Sequence, residues 1–153
     1  MRQEILMVEN PRLTLDQLLC FSVYSTGHAF NRIYKPLLDK IGLTYPQYLV
    51  MVVLWHEDRQ TVRGIGSKLF LESNTLTPLI KRLEAAGLLS RERDREDERQ
   101  VRVALTDQGR ALQQMAADVP DCIFEACGMK YDELVDLTHK LTSLRNALEK
   151  AAS

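Results

Sequence analysis

Ser73, Asn74, Thr75 and Thr77 place four short hydrogen-bonding side chains within five positions, and Lys81 and Arg82 follow one helical turn later. Hydroxyls and amides of this kind can read base edges, and cations can hold phosphates. Further on, the run Arg91-Glu92-Arg93-Asp94-Arg95-Glu96-Asp97-Glu98-Arg99 is charged at every position. A run like this is ordinarily a solvated loop whose charges pair with one another. It can also be a tip that inserts an arginine into a minor groove, which makes Arg93, Arg95 and Arg99 candidates for DNA contact. Asp97 is then expected to hold Arg99 by a bidentate pair. The acids around these arginines weaken simple attraction, so such a tip must rely on geometry.

The second reactive set is the thiols. Cys20, Cys122 and Cys127 form an odd group with no CxxC spacing, and His28, His56 and His139 are scattered. No zinc site or other metal site is expected from these spacings. In a reducing compartment the thiols are free by default. Taken alone, Cys20 on an apolar helix face reads as a core cysteine, and Tyr34 and Tyr45 read as ordinary core aromatics.

The elements that position these groups are mostly helical. Leu15, Leu18, Leu19 and Val23 repeat at helical spacing from Thr14, and the pattern runs to about Lys40, with Gly42 as its stop. Thr44-Tyr45-Pro46-Gln47 reads as a capping box with proline in the first turn, opening a helix that is apolar nearly all round through Trp55. Thr61 starts a short helix over 62–68. Another starts near Ser73 or Asn74 with the stripe Leu76, Leu79, Ile80, Leu83, and Gly87 closes it. The period then changes to two. Val101, Val103 and Leu105 alternate with Gln100, Arg102 and Ala104, which predicts a half-buried strand paired with Leu88 to Arg93. Thr106 caps a helix from Asp107 to about Val119, where Pro120 interrupts. The last helix spans about Tyr131 to Lys150, and its leucines 134, 137, 141, 144 and 148 form an a/d seam.

Two short helices followed by a charged-tip hairpin spell a winged helix-turn-helix, whose second helix enters the major groove by its N-terminal residues. The fold class is mainly α with a small β-hairpin wing (α+β). A single unit over 1–153 is expected, with dimerisation helices at 14–42 and 107–150 around a winged helix-turn-helix at about 44–106. The chain of 153 residues, 45% hydrophobic and 27% charged, has the balance of an ordinary soluble chain. Its 20 basic and 21 acidic residues mean that nucleic-acid binding must rest on local placement. The longest apolar run, Tyr48 to Trp55, is too short to span a bilayer, and the opening Met-Arg-Gln-Glu-Ile-Leu-Met has no signal-peptide core. A cytoplasmic location with no membrane contact is therefore expected.

The run Asp94 to Thr106, ending at Gly109, resembles the wing signature of the MarR family, with Arg95 where that family usually has proline. Leu71 to Glu84 resembles its recognition helix. The resemblance covers essentially the whole chain. It implies a homodimeric repressor of a palindromic operator in double-stranded DNA, with the first and last helices at the dimer interface, no cofactor and no enzyme activity. Leu18-Leu19-Cys20-Phe21, Tyr34-Lys35-Pro36-Leu37-Leu38 and Gly42 to Tyr48 resemble the organic-hydroperoxide-sensing OhrR branch. That resemblance implies that Cys20 is the redox sensor. It further implies that Tyr34 and Tyr45 hydrogen-bond its sulfur across the dimer, and that an organic hydroperoxide is the inducer. Phenol donors would stabilise the nucleophilic thiolate. Two-cysteine members carry a resolving thiol at a position that falls near Glu125. Cys122 lies one helical turn before it and is favoured, Cys127 is the alternative, and a small-thiol cap on Cys20 is a third route. Three other readings compete: a repressor released by a small aromatic ligand, a thiol peroxidase, and a plain helical dimerisation module.

Overall fold

The computed structural model describes residues 14–153, so the N-terminal stretch read above for a leader lies outside the described residues. Thr14 and Gln17 close a capping box on each other around a short 3-10 turn, Leu15–Gln17. Leu18 is then extended, at φ −92° and ψ 113°, and α1 runs Leu19–Asp39. The single helix expected from Thr14 is therefore broken at Leu18, because the turn ahead of it satisfies its own polar groups locally. The Thr44–Gln47 box opens α2 (Tyr45–His56) as expected, with Gln47 N–H 3.4 Å from the Thr44 hydroxyl. Thr61 caps α3 (Val62–Leu69), α4 covers Ser73–Ala85, and Gly87 closes it at φ +77°.

The wing is β2 (Leu89–Arg93) paired antiparallel with β3 (Val101–Leu105), in register Leu89 to Leu105 and Arg93 to Val101. A third strand, β1 (Gln60–Thr61), pairs with the other edge of β3, giving the order β1-β3-β2. Two residues carry no period, so β1 was not readable from the sequence pattern. The alternation expected along β3 holds only in part. Val103 and Leu105 are buried as expected, but Ala104 is buried too, while Val101 is 38% exposed. The base of the sheet is covered on both faces, whereas Val101 extends beyond the core toward the tip.

The helix expected over 107–119 stops at Met115, and a second helix begins at Val119. α5 spans Asp107–Met115, and α6 spans Val119–Ala126 with Pro120 in its first turn. Proline opens the second helix because it has no N–H for the ladder to miss. α7 covers Tyr131–Ala152.

The core gathers Leu38 from α1, Val50, Met51 and Leu54 from α2, Ile65 from α3, Leu76, Ile80 and Leu83 from α4, and Val103 from β3, all essentially inaccessible. α2 lies at the centre of this set, which is why its sequence is apolar on nearly every face. α7 contributes no buried residue. Leu137, Leu141 and Leu148, with Leu19, Val23, Phe30 and Ile33 of α1, remain exposed.

Candidate nucleic-acid interface and thiol site

α4 presents its N-terminal end to solvent because its opposite face carries the Leu76–Ile80–Leu83 stripe into the core. Ser73, Asn74 and Thr75 are exposed there, and so are Lys81 and Arg82. Thr77 is half-buried, and its hydroxyl donates to the Ser73 carbonyl at 2.7 Å, which leaves it only as an acceptor toward a ligand. The wing stands beside this end. Thr61, Arg63, Ser67, Ser73, Arg99 and Gln100 border one groove of about 600 Å³ between α3, α4 and the hairpin. Arg63 belongs to this surface; its place at the second position of a short helix gave no signal in the sequence.

The charges of the wing are only partly self-paired. Arg91 pairs with Glu84 at 2.8 Å, Glu92 with Arg59 at 2.7 Å, and Asp94 with Arg102. Arg93, Arg95 and Arg99 form no ion pair among the described residues and are exposed on the hairpin. The expected bidentate Asp97–Arg99 pair is absent. Asp97 instead accepts the backbone N–H of Arg99 at 3.1 Å, because the tight tip brings main chain rather than guanidinium to the carboxylate.

The carboxylate that builds the tip is Asp94, only 5% exposed. It accepts the backbone N–H groups of Glu96 at 2.7 Å and Asp97 at 3.3 Å, and it holds Arg102. The Glu96 N–H bond, followed by Arg102, keeps this carboxyl below the usual range. Asp58 plays a similar part at the base of the sheet. It accepts the Leu105 N–H at 2.8 Å and pairs with Arg110 at 3.1 Å, tying the loop before β1 to β3 and α5. Neither role has a sequence motif of its own, since both partners come from distant elements.

Cys20 is exposed near the start of α1 and borders a groove of about 890 Å³ with Leu19, Val23, Leu141, Leu144 and Leu148. Tyr34 lies fourteen residues on in the same helix. At about 1.5 Å per residue that is roughly 21 Å away, so one chain does not bring the two together. Tyr34 and Tyr45 do meet, with ring centroids 4.4 Å apart, and Tyr48 adjoins them at 5.9 Å. Burial, and then the neighbouring Tyr45, Tyr48 and Cys127, push the Tyr34 phenol up to about 12. Burial also raises Tyr45 and Tyr48. All three phenols are therefore O–H donors at neutral pH. A spectroscopic alkaline titration should show one phenol with a midpoint near 12, absent in Tyr34→Phe. The stability linked to that shift is fully present below the ordinary tyrosine value near 10 and is lost as pH rises through about 12.

Of the other thiols, Cys122 is exposed on the outer side of α6. Cys127, half-buried at the end of α6, shares an apolar pocket with Phe30 and Ile33 of α1.

The chain is 40% identical over 138 residues to the organic hydroperoxide resistance transcriptional regulator of Bacillus subtilis, covering 90% of this chain and 94% of that one. The chain belongs to the MarR family. The family model for the transcriptional regulators SarA/Rot, a related winged-helix group, matches residues 32–115. The HTH-type transcriptional regulator TtmR of Methylorubrum extorquens is 51% identical over 139 residues, 91% of this chain and 71% of that protein. Reduced AbfR of Staphylococcus epidermidis, solved bound to DNA, superposes with a TM-score of 0.79 at 37% identity, over 91% of this chain and 95% of that one. For a MarR-family chain the winged-helix unit is the defining element, and here it is mostly helical with one three-stranded sheet. Both of these relatives are transcriptional regulators by name. No helix among the described residues is long and apolar enough to cross a membrane.

Proposed function

We propose that this MarR-family regulator is a homodimeric repressor that binds a palindromic operator and releases it when an organic hydroperoxide oxidises Cys20. In this reading Ser73, Asn74, Thr75 and Thr77 face the major groove, Lys81 and Arg82 take phosphates, and Arg93, Arg95 and Arg99 of the wing reach the neighbouring minor groove. The three unpaired wing arginines support it.

The observation that carries the redox part is the protonated Tyr34–Tyr45 pair, set one helix-length from an exposed Cys20. A two-fold dimer that places Cys20 against the partner's Tyr34 must also place Tyr34 against the partner's Cys20. The axis then passes near the midpoint, residue 27. Gly27 occupies it, with nothing within 4 Å of where a Cβ would stand. A glycine there allows two α1 helices to cross closely. The uncovered apolar side chains of α1 (Leu19, Val23, Phe30, Ile33) and α7 (Leu137, Leu141, Leu148) supply the apolar surface such an interface needs.

The chemistry balances simply. The Cys20 thiolate attacks the terminal oxygen of the hydroperoxide, the O–O bond breaks, and the departing alkoxide takes a proton to become the alcohol. The sulfur is left as sulfenic acid. A second thiol condenses with it to a disulfide and expels water. Cys127 is the resolving thiol in this reading, because it lies against Ile33, the residue beside the Tyr34 that the partner's Cys20 would approach, whereas Cys122 is exposed.

The test is fluorescence anisotropy on DNA from the protein's own upstream region, before and after one equivalent of cumene hydroperoxide. Wild type should lose roughly 100-fold in affinity, about 2.7 kcal/mol, and Cys20→Ser should stay bound. Retention by both proteins would remove the sensor assignment and point to release by a ligand. Steady consumption of hydroperoxide with a thiol reductant would instead favour a peroxidase.

A further inference from the structure

Arg145 of α7 belongs to two environments. It borders the groove that also contains Cys20, Leu19 and Leu148. Its guanidinium carbon also lies 4.1 Å from the centroid of the Phe70 ring. Phe70 is the residue that closes α3, immediately ahead of the turn into α4.

The backbone of Phe70 is left-handed, at φ 56° and ψ 38°. A bulky side chain rarely adopts that conformation and keeps it only where its surroundings enforce it. Burial does not enforce it here, since Phe70 is 52% exposed. Directly after it the Leu71 N–H bonds back to the Gly66 carbonyl at 3.0 Å, which sets the direction in which the chain leaves α3 for Ser73. The cation over the ring face ties this strained turn to the long helix α7.

We propose that Arg145, through its stack on Phe70, is a positioning residue for DNA binding: it links the α1–α7 thiol groove to the turn that aims α4. Arg145 touches no nucleic acid in this scheme. It holds the α3–α4 turn at one angle to α1 and α7, and a rearrangement of the Cys20 groove moves the same guanidinium. The link to oxidation rests on the sensor reading above; the effect on the reduced protein does not. An exposed cation–π contact corresponds to roughly a two- to fivefold effect per protomer. Two protomers on one operator multiply that factor, so roughly tenfold is expected for the dimer.

The test is a double-mutant cycle on the affinity of the reduced full-length protein for its upstream DNA, using Arg145→Met, Phe70→Leu and the pair. Each single variant should bind roughly tenfold more weakly, and the double variant no more weakly than either. Arg145→Lys and Phe70→Tyr, which keep a cation and a ring, should recover to within about threefold of wild type. Thermal midpoints should stay close to wild type in all five, separating positioning from loss of fold. Unchanged affinity in the singles, or strictly additive losses in the double, would overturn the proposal. A second arm follows the response to cumene hydroperoxide. Cys20 in Arg145→Met should oxidise at the wild-type rate while the ratio of reduced to oxidised affinity narrows roughly tenfold. If wild type does not respond to hydroperoxide at all, the sensor reading fails, and the cycle on the reduced protein still decides the role of Arg145.

Discussion

Replacing Gly109 by alanine is expected to destabilise the protein by about 3 kcal/mol or more, the upper end of what overpacking costs. A Cβ at this position would stand 2.1 Å from the Leu88 carbonyl oxygen, 3.1 Å from its carbon and 3.3 Å from a methyl of Leu105. The nearest obstacle is backbone, so no side chain can swing aside. The same peptide is held from the other direction, because the Trp55 indole N–H donates to the Gly109 carbonyl at 2.9 Å. Its own N–H bonds to the Thr106 hydroxyl, which in turn donates to the Gly87 carbonyl. Gly109 is therefore where the first turn of α5 meets the strand leading into the wing, and α2 is fastened to both. Calorimetry should show the midpoint falling by roughly 6–12 °C. A fall of under 2 °C would mean that α5 can shift away from Leu88 at little cost.

The largest effect on DNA binding short of the recognition helix is expected at Asp94. Asp94→Ala removes the acceptor for two backbone N–H groups and the partner of Arg102 at once. The tip from Asp94 to Gln100 then keeps the main-chain bonds Asp94 N–H to Gln100 and Gln100 N–H to Asp97, with the Asp97 carboxylate on Arg99 N–H and the Gln100 amide, but nothing holds Glu96 or ties the tip to Arg102. Arg95 and Arg99 should still be present but no longer aimed, and operator affinity should fall at least tenfold with little change in helix content. If each wing loses one phosphate contact, the slope of log affinity against log salt should become shallower by about 2 for the dimer. An unchanged slope would show that the wing does not touch DNA. The pH dependence has a definite sign. A carboxyl held below its usual range adds its ordering above the ordinary value near 4, and that contribution is lost as pH falls through the lowered value. Binding of the reduced protein should thus be insensitive to this group from neutral pH down to about 4. Asp94→Asn should weaken binding across that range, because it keeps an acceptor but not the charge that Arg102 needs.

Much of the architecture was legible in the residues, and the places where reading failed have a common cause. The Thr44–Gln47 capping box, the Leu76–Ile80–Leu83 stripe and the Gly87 stop are local devices, and each appears where its spacing put it. Local devices also account for the misreadings. Thr14 and Gln17 satisfied each other and broke α1 at Leu18, and Pro120 opened a helix rather than ending one. β1 escaped notice because it consists of two residues and exists only through its pairing with Val103 and Arg102.

The candidate site divides along the same line. The amino-acid types that can contact DNA, and the thiol with its two tyrosines, stand in the sequence with a spacing recognisable from relatives. Which acid builds the wing does not, since Asp94 and Asp97 are equivalent as letters. They differ because Arg102 arrives from the facing strand and buries one of them. In the same way, Cys122 and Cys127 lie three residues before and two after one position, and only the packing of α6 on α1 leaves Cys122 exposed while half-burying Cys127 against Phe30 and Ile33. The sequence by itself determined the winged-helix order of elements and the chemical groups they carry, because periodicity and caps act between residues a few positions apart. Only the tertiary structure decided which of several like groups is held, exposed or brought to a neighbour. Those choices depend on contacts between segments such as Phe70 and Arg145, which no local spacing relates.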